Sequence, residues 1–220
     1  MRYKRITILC GHYGSGKTNV AVNFAKDLKK ENENVLIADL DIVNPYFRTK
    51  DSAEEFYKQG IRLIASEYAG TNVDIPALPQ QMYAITHDKN FKAVIDVGGD
   101  DRGALALGRL SDEIKSENDY EMLLVINKYR PLTPDAMSTV EVMREIEIAG
   151  KIAFTGIVNN SNLGVQTTAE DVLNSLEYAK EVSKVTGLPL LCTTVSEQLY
   201  EQLSDKIENL FSLKLQNKIN

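Results

Sequence analysis

Eight consecutive residues near the start of the chain have the spacing of a phosphate-binding loop. The pattern G-x-x-x-x-G-K-[ST] is matched by Gly11-His12-Tyr13-Gly14-Ser15-Gly16-Lys17-Thr18. Glycines let such a loop wrap closely round a phosphate chain, and its backbone N–H groups then face the anion. We expect Lys17 to reach the β- and γ-phosphates and the Thr18 hydroxyl to bind Mg²⁺. The segment therefore predicts a nucleoside triphosphate site.

A carboxylate and two glycines follow a later apolar segment. Asp96 ends the strand-like run Ala93-Val94-Ile95 and precedes Gly98 and Gly99. A carboxylate at the end of a strand beside the loop suits the role of holding Mg²⁺ through water. We expect the backbone N–H of Gly99 to meet the γ-phosphate.

Two further carboxylates, Asp39 and Asp41, follow the strand-like run 35–38. Their side chains would point to opposite faces if the strand continued through them. Both can serve one site only if the backbone turns here, and Asn44-Pro45 indicates a turn soon afterwards.

The elements that position these residues alternate between strands and helices along the chain. Such alternation predicts an α/β protein, whose mostly parallel sheet of about seven strands has helices on both faces. A capping-box pattern at Thr168 and Asp171 starts one long helix, and Thr133 before Pro134 predicts the start of another. We interpret residues 1–220 as a single domain that ends in a helix over about residues 197–215.

Composition narrows the function classes. The formal net charge is −6 and the pI is about 5.1, so no general field attracts nucleic acid. The basic residues Arg2, Lys4 and Arg5 fit a solvated edge, and the two cysteines lie in apolar runs, as small buried side chains do. Without an apolar run near 18 residues or an apolar leader, we expect a cytoplasmic protein.

Together these motifs resemble the MinD/ParA/Mrp group of P-loop ATPases, the CobQ/CobB/MinD/ParA nucleotide-binding type. The resemblance is carried by the loop, by Asp39-x-Asp41 before Pro45, and by Asp96-x-Gly98-Gly99. It implies a three-layer P-loop NTPase fold with ATP and Mg²⁺ as ligands. It also implies that Asp39 orients Mg²⁺-bound water, that Asp41 positions the attacking water, and that Asp96 is the Walker B carboxylate.

One residue departs from the group. Its members typically carry a second lysine early in the loop, which crosses to the partner's nucleotide in a dimer that encloses ATP. That position is His12 here, and a histidine is largely uncharged at neutral pH. A nucleotide-dependent homodimer is therefore doubtful, although Arg102 is an alternative source of a cation.

Two segments bear on which base is bound. The segment Gly156-Ile157-Val158-Asn159-Asn160 is similar to the group's strand end, whose last asparagine contacts adenine, and this implies Asn160 in that role. The segment Asn127-Lys128-Tyr129-Arg130 begins like the guanine motif N-K-x-D. That motif needs a carboxylate acceptor in its fourth position, where Arg130 has only donors. ATP is favoured over GTP.

Three functions remain open at this stage. The first is a regulatory or assembly ATPase whose nucleotide state docks or releases a protein partner. The second is a GTPase metallochaperone, for which a His/Cys cluster would be needed. The third is an ATP-dependent ligase or kinase similar to dethiobiotin synthetase, with residues 66–90 as its substrate pocket. An apolar stripe in the tail, with Ile207, Leu210 and Phe211, favours docking onto protein over binding to a membrane.

Overall fold

Eight parallel strands form one sheet, and the strand before the phosphate loop lies inside it. The computed structural model describes residues 1–41, 53–65, 80–99 and 101–215, without the side chains of Asp101 and Arg102. The strands are β1 Ile6–Cys10, β2 Val35–Leu40, β3 Ile61–Ala65, β4 Lys92–Val97, β5 Tyr120–Ile126, β6 Gly156–Asn159, β7 Leu190–Ser196 and β8 Leu210–Leu213. The helices are α1 Lys17–Lys29, α2 Ala53–Lys58, α3 Ala84–His87, α4 Asp101–Gly108, α5 Ser111–Glu117, α6 Ala136–Gly150, α7 Ala169–Thr186 and α8 Glu197–Leu203.

The order of the strands across the sheet is β3-β2-β4-β1-β5-β6-β7-β8, and every pair of neighbours is parallel. All carboxyl ends therefore meet at one edge. Because β1 pairs with β4 and β5, the phosphate loop that follows it is flanked by the segments after those two strands. This arrangement confirms the predicted three-layer α/β fold, with one strand more than the expected seven or so.

Helices cover the sheet on both faces. On one face α1 packs on the sheet through Val20, Phe24 and Leu28, which step by four along the helix as a buried stripe must. On the other face the helices from α3 to α7 bury a larger cluster, which includes Ile8 and Leu107. Strands covered on both faces need apolar residues at consecutive positions, which explains the continuous apolar run of β1.

The prediction of one helix over residues 197–215 is wrong beyond Leu203. After α8 the chain turns at Asn209, whose φ is 53°, and Leu210–Leu213 then pairs with β7. Phe211 packs edge-on against Phe24, with ring centroids 4.9 Å apart. The apolar stripe in the sequence fits a helix equally well over so few residues, whereas strand pairing and this contact decide for a strand.

Two smaller expectations also change. The helix α6 begins at Ala136, two residues after the predicted Pro134, because the Asp135 side chain accepts from Ser138 N at 2.9 Å and caps it. Arg5 is buried at the amino end of the sheet, where it forms an ion pair with Glu117, and so does not lie on a solvated edge.

Candidate functional site

The phosphate loop leaves β1 at Gly11 and enters α1 at Lys17. Gly14 and Gly16 have φ values of 77° and 86°, in the left-handed region that glycine adopts most readily. A Cβ on Gly11 would lie 2.3 Å from the carbonyl oxygen of Val125, so the loop passes too close to β5 for any side chain at that position. The glycines of the motif thus have the structural roles that the sequence predicts.

The functional side chains at the start of α1 face the end of β4. Lys17 and Thr18 are 6% and 9% exposed. The Lys17 ammonium donates to the carbonyl oxygen of His12 at 3.2 Å, across the loop. The Thr18 hydroxyl donates to Oδ2 of Asp96 at 2.6 Å. The structure therefore brings the loop and Asp96 together, as the sequence predicts.

Asp39 and Asp96 lie side by side at the carboxyl ends of β2 and β4, where they are register partners. Both are buried, with 4% and 1% of their surface exposed. Burial, followed by the neighbouring Asp39 carboxylate, raises the pKa of Asp96 to about 8. Two adjacent buried carboxylates are an unfavourable arrangement in the absence of a cation, and oxygen ligands of this kind suit Mg²⁺.

Asp41 follows the last residue of β2, and its backbone N–H donates to Oδ1 of Asp39 at 2.9 Å. This bond shows that the backbone bends directly after the strand, as the two-carboxylate prediction requires. The predicted turn at Asn44-Pro45 lies outside the described residues.

Gly99 lies against the phosphate loop from the β4 side. A Cβ on Gly99 would be 2.6 Å from Tyr13 N and 2.9 Å from Nζ of Lys17. Only glycine fits this approach, and its backbone is placed beside the ammonium that should hold the terminal phosphates. The expectation that Gly99 belongs to the site agrees with this position.

Three buried side-chain polar atoms have no hydrogen-bond partner within the described residues, and all three belong to this region. They are Ser15 Oγ, Asp96 Oδ1 and Arg130 Nε. Buried polar atoms are nearly always paired, so a group of unpaired ones indicates the position of an absent ligand. The free carboxylate oxygen of Asp96, next to the Thr18 hydroxyl, fits a hydrated Mg²⁺ ion.

Asn160 contacts the phosphate loop from the side of β6 and β7. Its Nδ2 donates to the carbonyl oxygen of Ser15 at 2.6 Å, and its Oδ1 accepts from the Thr194 hydroxyl at 2.6 Å. A Cβ on Gly16 would be 2.2 Å from this nitrogen. The carboxamide thus holds the loop in place. The adenine contact implied for Asn160 stays a prediction.

A cleft opens beside Asn160, and its walls include Asn162, Thr167, Ser196 and Leu215. It lies at the carboxyl ends of β6 and β7, next to the loop. Its cavity volume is only about 30 Å³ in this conformation, so its walls would have to move apart to admit a base.

The guanine-like segment is built as a rigid turn. Asn127 is fully buried, and its Oδ1 accepts from the backbone N–H groups of Tyr129 and Asn162 at 3.0 and 3.2 Å. The Lys128 ammonium donates to the carbonyl oxygen of Asn174 at 3.0 Å. Arg130 lies in the position where the guanine motif has its acceptor.

The first two variable residues of the loop are near its rim. The His12 ring nitrogen Nδ1 is 2.8 Å from the carbonyl oxygen of Tyr13 and donates to it. The Tyr13 side chain is 59% exposed. Neither observation tests the homodimer that His12 makes doubtful, and the side chain of Arg102 lies outside the described residues.

The family model for the CobQ/CobB/MinD/ParA nucleotide-binding domain matches residues 6–209. The chain belongs to this family. Membership supports a P-loop nucleotide-binding protein of the NTPase class, as the loop geometry does. Among curated proteins, no sequence matches the chain.

Solved structures of FtsY have a similar fold. FtsY from Mycoplasma mycoides is 19% identical with a TM-score of 0.55, over 88% of this chain and 60% of that one. FtsY from Elizabethkingia anophelis in complex with GDP is 15% identical with a TM-score of 0.56, over 99% and 62%. FtsY from Thermotoga maritima is 18% identical with a TM-score of 0.54, over 86% and 61%. The present chain thus spans less than two thirds of the length of these FtsY chains, and the similarity shows the fold alone.

Sequence reasoning considered Arg130 only as a defect in a base-binding motif. Its position beside the phosphate loop depends on β5 lying next to β1, which no local pattern reveals. In the described part of the chain no group of three or more His, Cys, Asp or Glu side chains could hold a metal ion. No described helix has the length and apolar character needed to cross a membrane.

Proposed function

We propose that this protein is a Mg²⁺-dependent ATPase that acts as a nucleotide-driven switch on a protein partner. The observation that supports it most is the bond from Thr18 to Asp96, whose second oxygen is buried beside the phosphate loop and has no partner among the described residues. Mg²⁺ would neutralise charge that develops on the phosphates, and Thr18, Asp39 and Asp96 would hold it. Lys17 would bind the terminal phosphates and Asp41 would position the attacking water.

The preference for ATP rests on the lack of a carboxylate where guanine would need one. Arg130 has no acceptor to offer to guanine, and Lys128 is turned towards α7 by its bond to Asn174. The cleft beside Asn160 is the proposed adenine site.

The proposed switch between nucleotide states depends on the position of Gly99. Its backbone lies so close to Lys17 and Tyr13 that a terminal phosphate would contact it directly. The helix α4 begins at Asp101 and exposes Leu105, whose side chain is 58% accessible. Loss of the terminal phosphate would remove a contact at Gly99 and shift this helix, which is how a nucleotide state reaches a partner surface.

Calorimetric titration with Mg·ATP and with Mg·GTP tests the nucleotide. We expect ATP to bind at least about tenfold more tightly, because a site without the guanine acceptor gains nothing from that base. Tighter binding of GTP would contradict the ATP proposal and support the GTPase metallochaperone as the alternative.

The same titration on Asp41→Ala, together with an assay of phosphate release, tests hydrolysis. We expect the variant to bind ATP as the wild type does and to lose turnover, since positioning of water contributes to the reaction and not to binding. Asp27→Ala is the control, because Asp27 lies on α1 and bonds to Tyr3, remote from the phosphate loop. Full turnover in Asp41→Ala would show that this assignment is wrong.

A further inference from the structure

The segment between β5 and α6 holds Arg130 in a fixed position beside the phosphate loop. Its backbone N–H donates to the carbonyl oxygen of Asn127 at 3.2 Å, and its own carbonyl oxygen accepts from Thr133 N at 3.1 Å. Asn127 is fully buried and is itself held by the next strand's loop through Asn162. The backbone at Arg130 is therefore set by a rigid turn.

The side chain of Arg130 lies against the loop at Gly14. A Cβ on Gly14 would be 3.3 Å from Nε and 3.4 Å from Cζ of Arg130. The guanidinium therefore lies close to the loop, at the position that a side chain on residue 14 would occupy. Gly14 is in the left-handed conformation, which turns successive N–H groups of such a loop towards an anion.

Within the part of the chain that the structure describes, no hydrogen-bond acceptor or carboxylate explains the position of the guanidinium. Its Nε is buried without a hydrogen-bond acceptor, and Arg130 takes part in none of the ion pairs found among the described residues. Arginine stays charged at all ordinary pH values, and although Arg130 as a whole is only half-buried, the loss of water at its buried Nε has a cost. An anion from outside the chain would satisfy it.

The neighbouring cation on the same turn behaves differently. The ammonium of Lys128 donates to the carbonyl oxygen of Asn174 on α7 and so has its partner within the protein. Of the two cations, only Arg130 lies against the phosphate loop. A triphosphate in that loop carries several negative charges close to Gly14, and a planar guanidinium matches phosphate oxygens in a two-point contact.

We propose that Arg130 is a phosphate-binding residue of this site, which contacts the triphosphate from the same chain, opposite Gly99 and independently of the base. The inference rests on the proposed triphosphate site and adds a residue to it. It assigns the fourth position of the Asn127-Lys128-Tyr129-Arg130 segment to the phosphates.

The test compares Arg130→Met with wild type in the binding of a fluorescent ATP analogue, of GTP and of inorganic tripolyphosphate, the last two as competitors. Met keeps the apolar stem and removes the charge. We expect a loss of roughly 10- to 100-fold for each of the three, because a charged hydrogen bond to phosphate is lost whatever the base. The affinities of Arg130→Lys should lie between those of wild type and Arg130→Met, since lysine keeps the charge and loses the two-point contact.

Arg144→Met is the matched control, because Arg144 is exposed on α6 and its loss removes the same charge. Equal affinities of Arg130→Met and Arg144→Met for tripolyphosphate would overturn the inference. A loss for ATP without a loss for tripolyphosphate would overturn it as well, because Arg130 would then act on the base or the sugar. If the wild type bound none of the three, the proposed triphosphate site itself would fail. If Arg130→Met unfolds at a much lower temperature than wild type, the test uses Arg130→Lys instead. An affinity for tripolyphosphate equal to that of Arg144→Met would then overturn the inference.

Discussion

Two arginines at opposite ends of the sheet differ in how their guanidinium groups are satisfied. At the amino end, the nitrogens of Arg5 donate to the Glu117 carboxylate and to the carbonyl oxygens of Ile85 and Phe91, the last two at 2.9 and 3.1 Å. At the carboxyl end, Nε of Arg130 is buried without an acceptor. Among the described residues, the buried side-chain polar atoms at the amino end all have partners, whereas three such atoms at the carboxyl end have none.

The same difference holds for the buried carboxylates. Glu121 at the amino end accepts from the Thr7 hydroxyl at 2.7 Å and from Lys4 N at 3.2 Å. Asp96 at the carboxyl end has one paired and one unpaired oxygen, beside Asp39. Both bonds of Glu121 go to Oε1, and among the described residues no buried side-chain atom at the amino end is unpaired, which indicates a structural role; an unpaired buried oxygen next to a phosphate loop indicates binding. Substitutions at the two ends should therefore change different properties.

The largest effect on stability should come from Arg5→Met. This change leaves the buried Glu117 carboxylate without its cation, which typically costs about 3–5 kcal/mol of unfolding free energy. Urea denaturation measures the loss, and the folded variant should keep its affinity for nucleotide. A change below about 1 kcal/mol would contradict the contrast between the two ends. Adding Glu117→Leu to Arg5→Met should restore much of the stability, since no uncompensated charge then remains.

The next effect concerns binding alone. Lys17→Ala should weaken triphosphate binding by at least about 100-fold, because it removes the cation that should reach the phosphates. Its unfolding free energy should change by less than about 1 kcal/mol. Lys30→Ala is the matched control, since Lys30 follows the same helix and makes only a surface pair with Asp27. Unchanged affinity in Lys17→Ala would refute the phosphate site.

A substitution at Asp96 should raise the unfolding free energy, whereas Arg5→Met lowers it. Burial and Asp39 raise the pKa of Asp96 to about 8, so the folded state binds a proton that the unfolded state releases near pH 4. The unfolding free energy of the metal-free protein should therefore fall between about pH 4 and pH 8. Asp96→Asn keeps an acceptor for the Thr18 hydroxyl and carries no charge.

In the presence of a chelator, we expect Asp96→Asn to be more stable than wild type at pH 8 and equal to it near pH 4, because only the wild type must bury a charge there as the pH rises. Thermal unfolding across this pH range measures the difference. The variant should also lose most of the stabilisation that Mg·ATP gives the wild type. A pH profile identical to that of the wild type would place the unfavourable charge elsewhere.

Sequence patterns predicted the structure correctly where all the interacting residues are close together in the sequence. The loop predicted its own strand and helix, and the capping box of Thr168 and Asp171 is present as the sequence indicates. The prediction that α6 starts at Thr133 was wrong. The Thr133 hydroxyl contacts the carbonyl oxygen of Asn127 in the turn before the helix, so Asp135 caps α6 instead.

Contacts that depend on the order of strands could not be predicted. Asp39 and Asp96 are register partners only because β2 lies beside β4. Arg130 meets Gly14 only because β5 lies beside β1. Sequence periodicity gives the direction in which a side chain points within its own element, but the identity of the neighbouring strand is a tertiary property.

The helix α1 is held in part by Lys214, which is synthesised much later than the helix itself. Asn23 on α1 donates from Nδ2 to the carbonyl oxygen of Lys214 at 3.1 Å and accepts from Lys214 N at 2.9 Å, 191 positions along the chain. Contacts between residues so far apart in sequence form slowly, because a long loop must close first. A nascent chain on the ribosome therefore carries the whole phosphate-loop sequence long before the helix behind it is held on every side. The phosphate loop is therefore synthesised well before the contact from Lys214 that supports its helix.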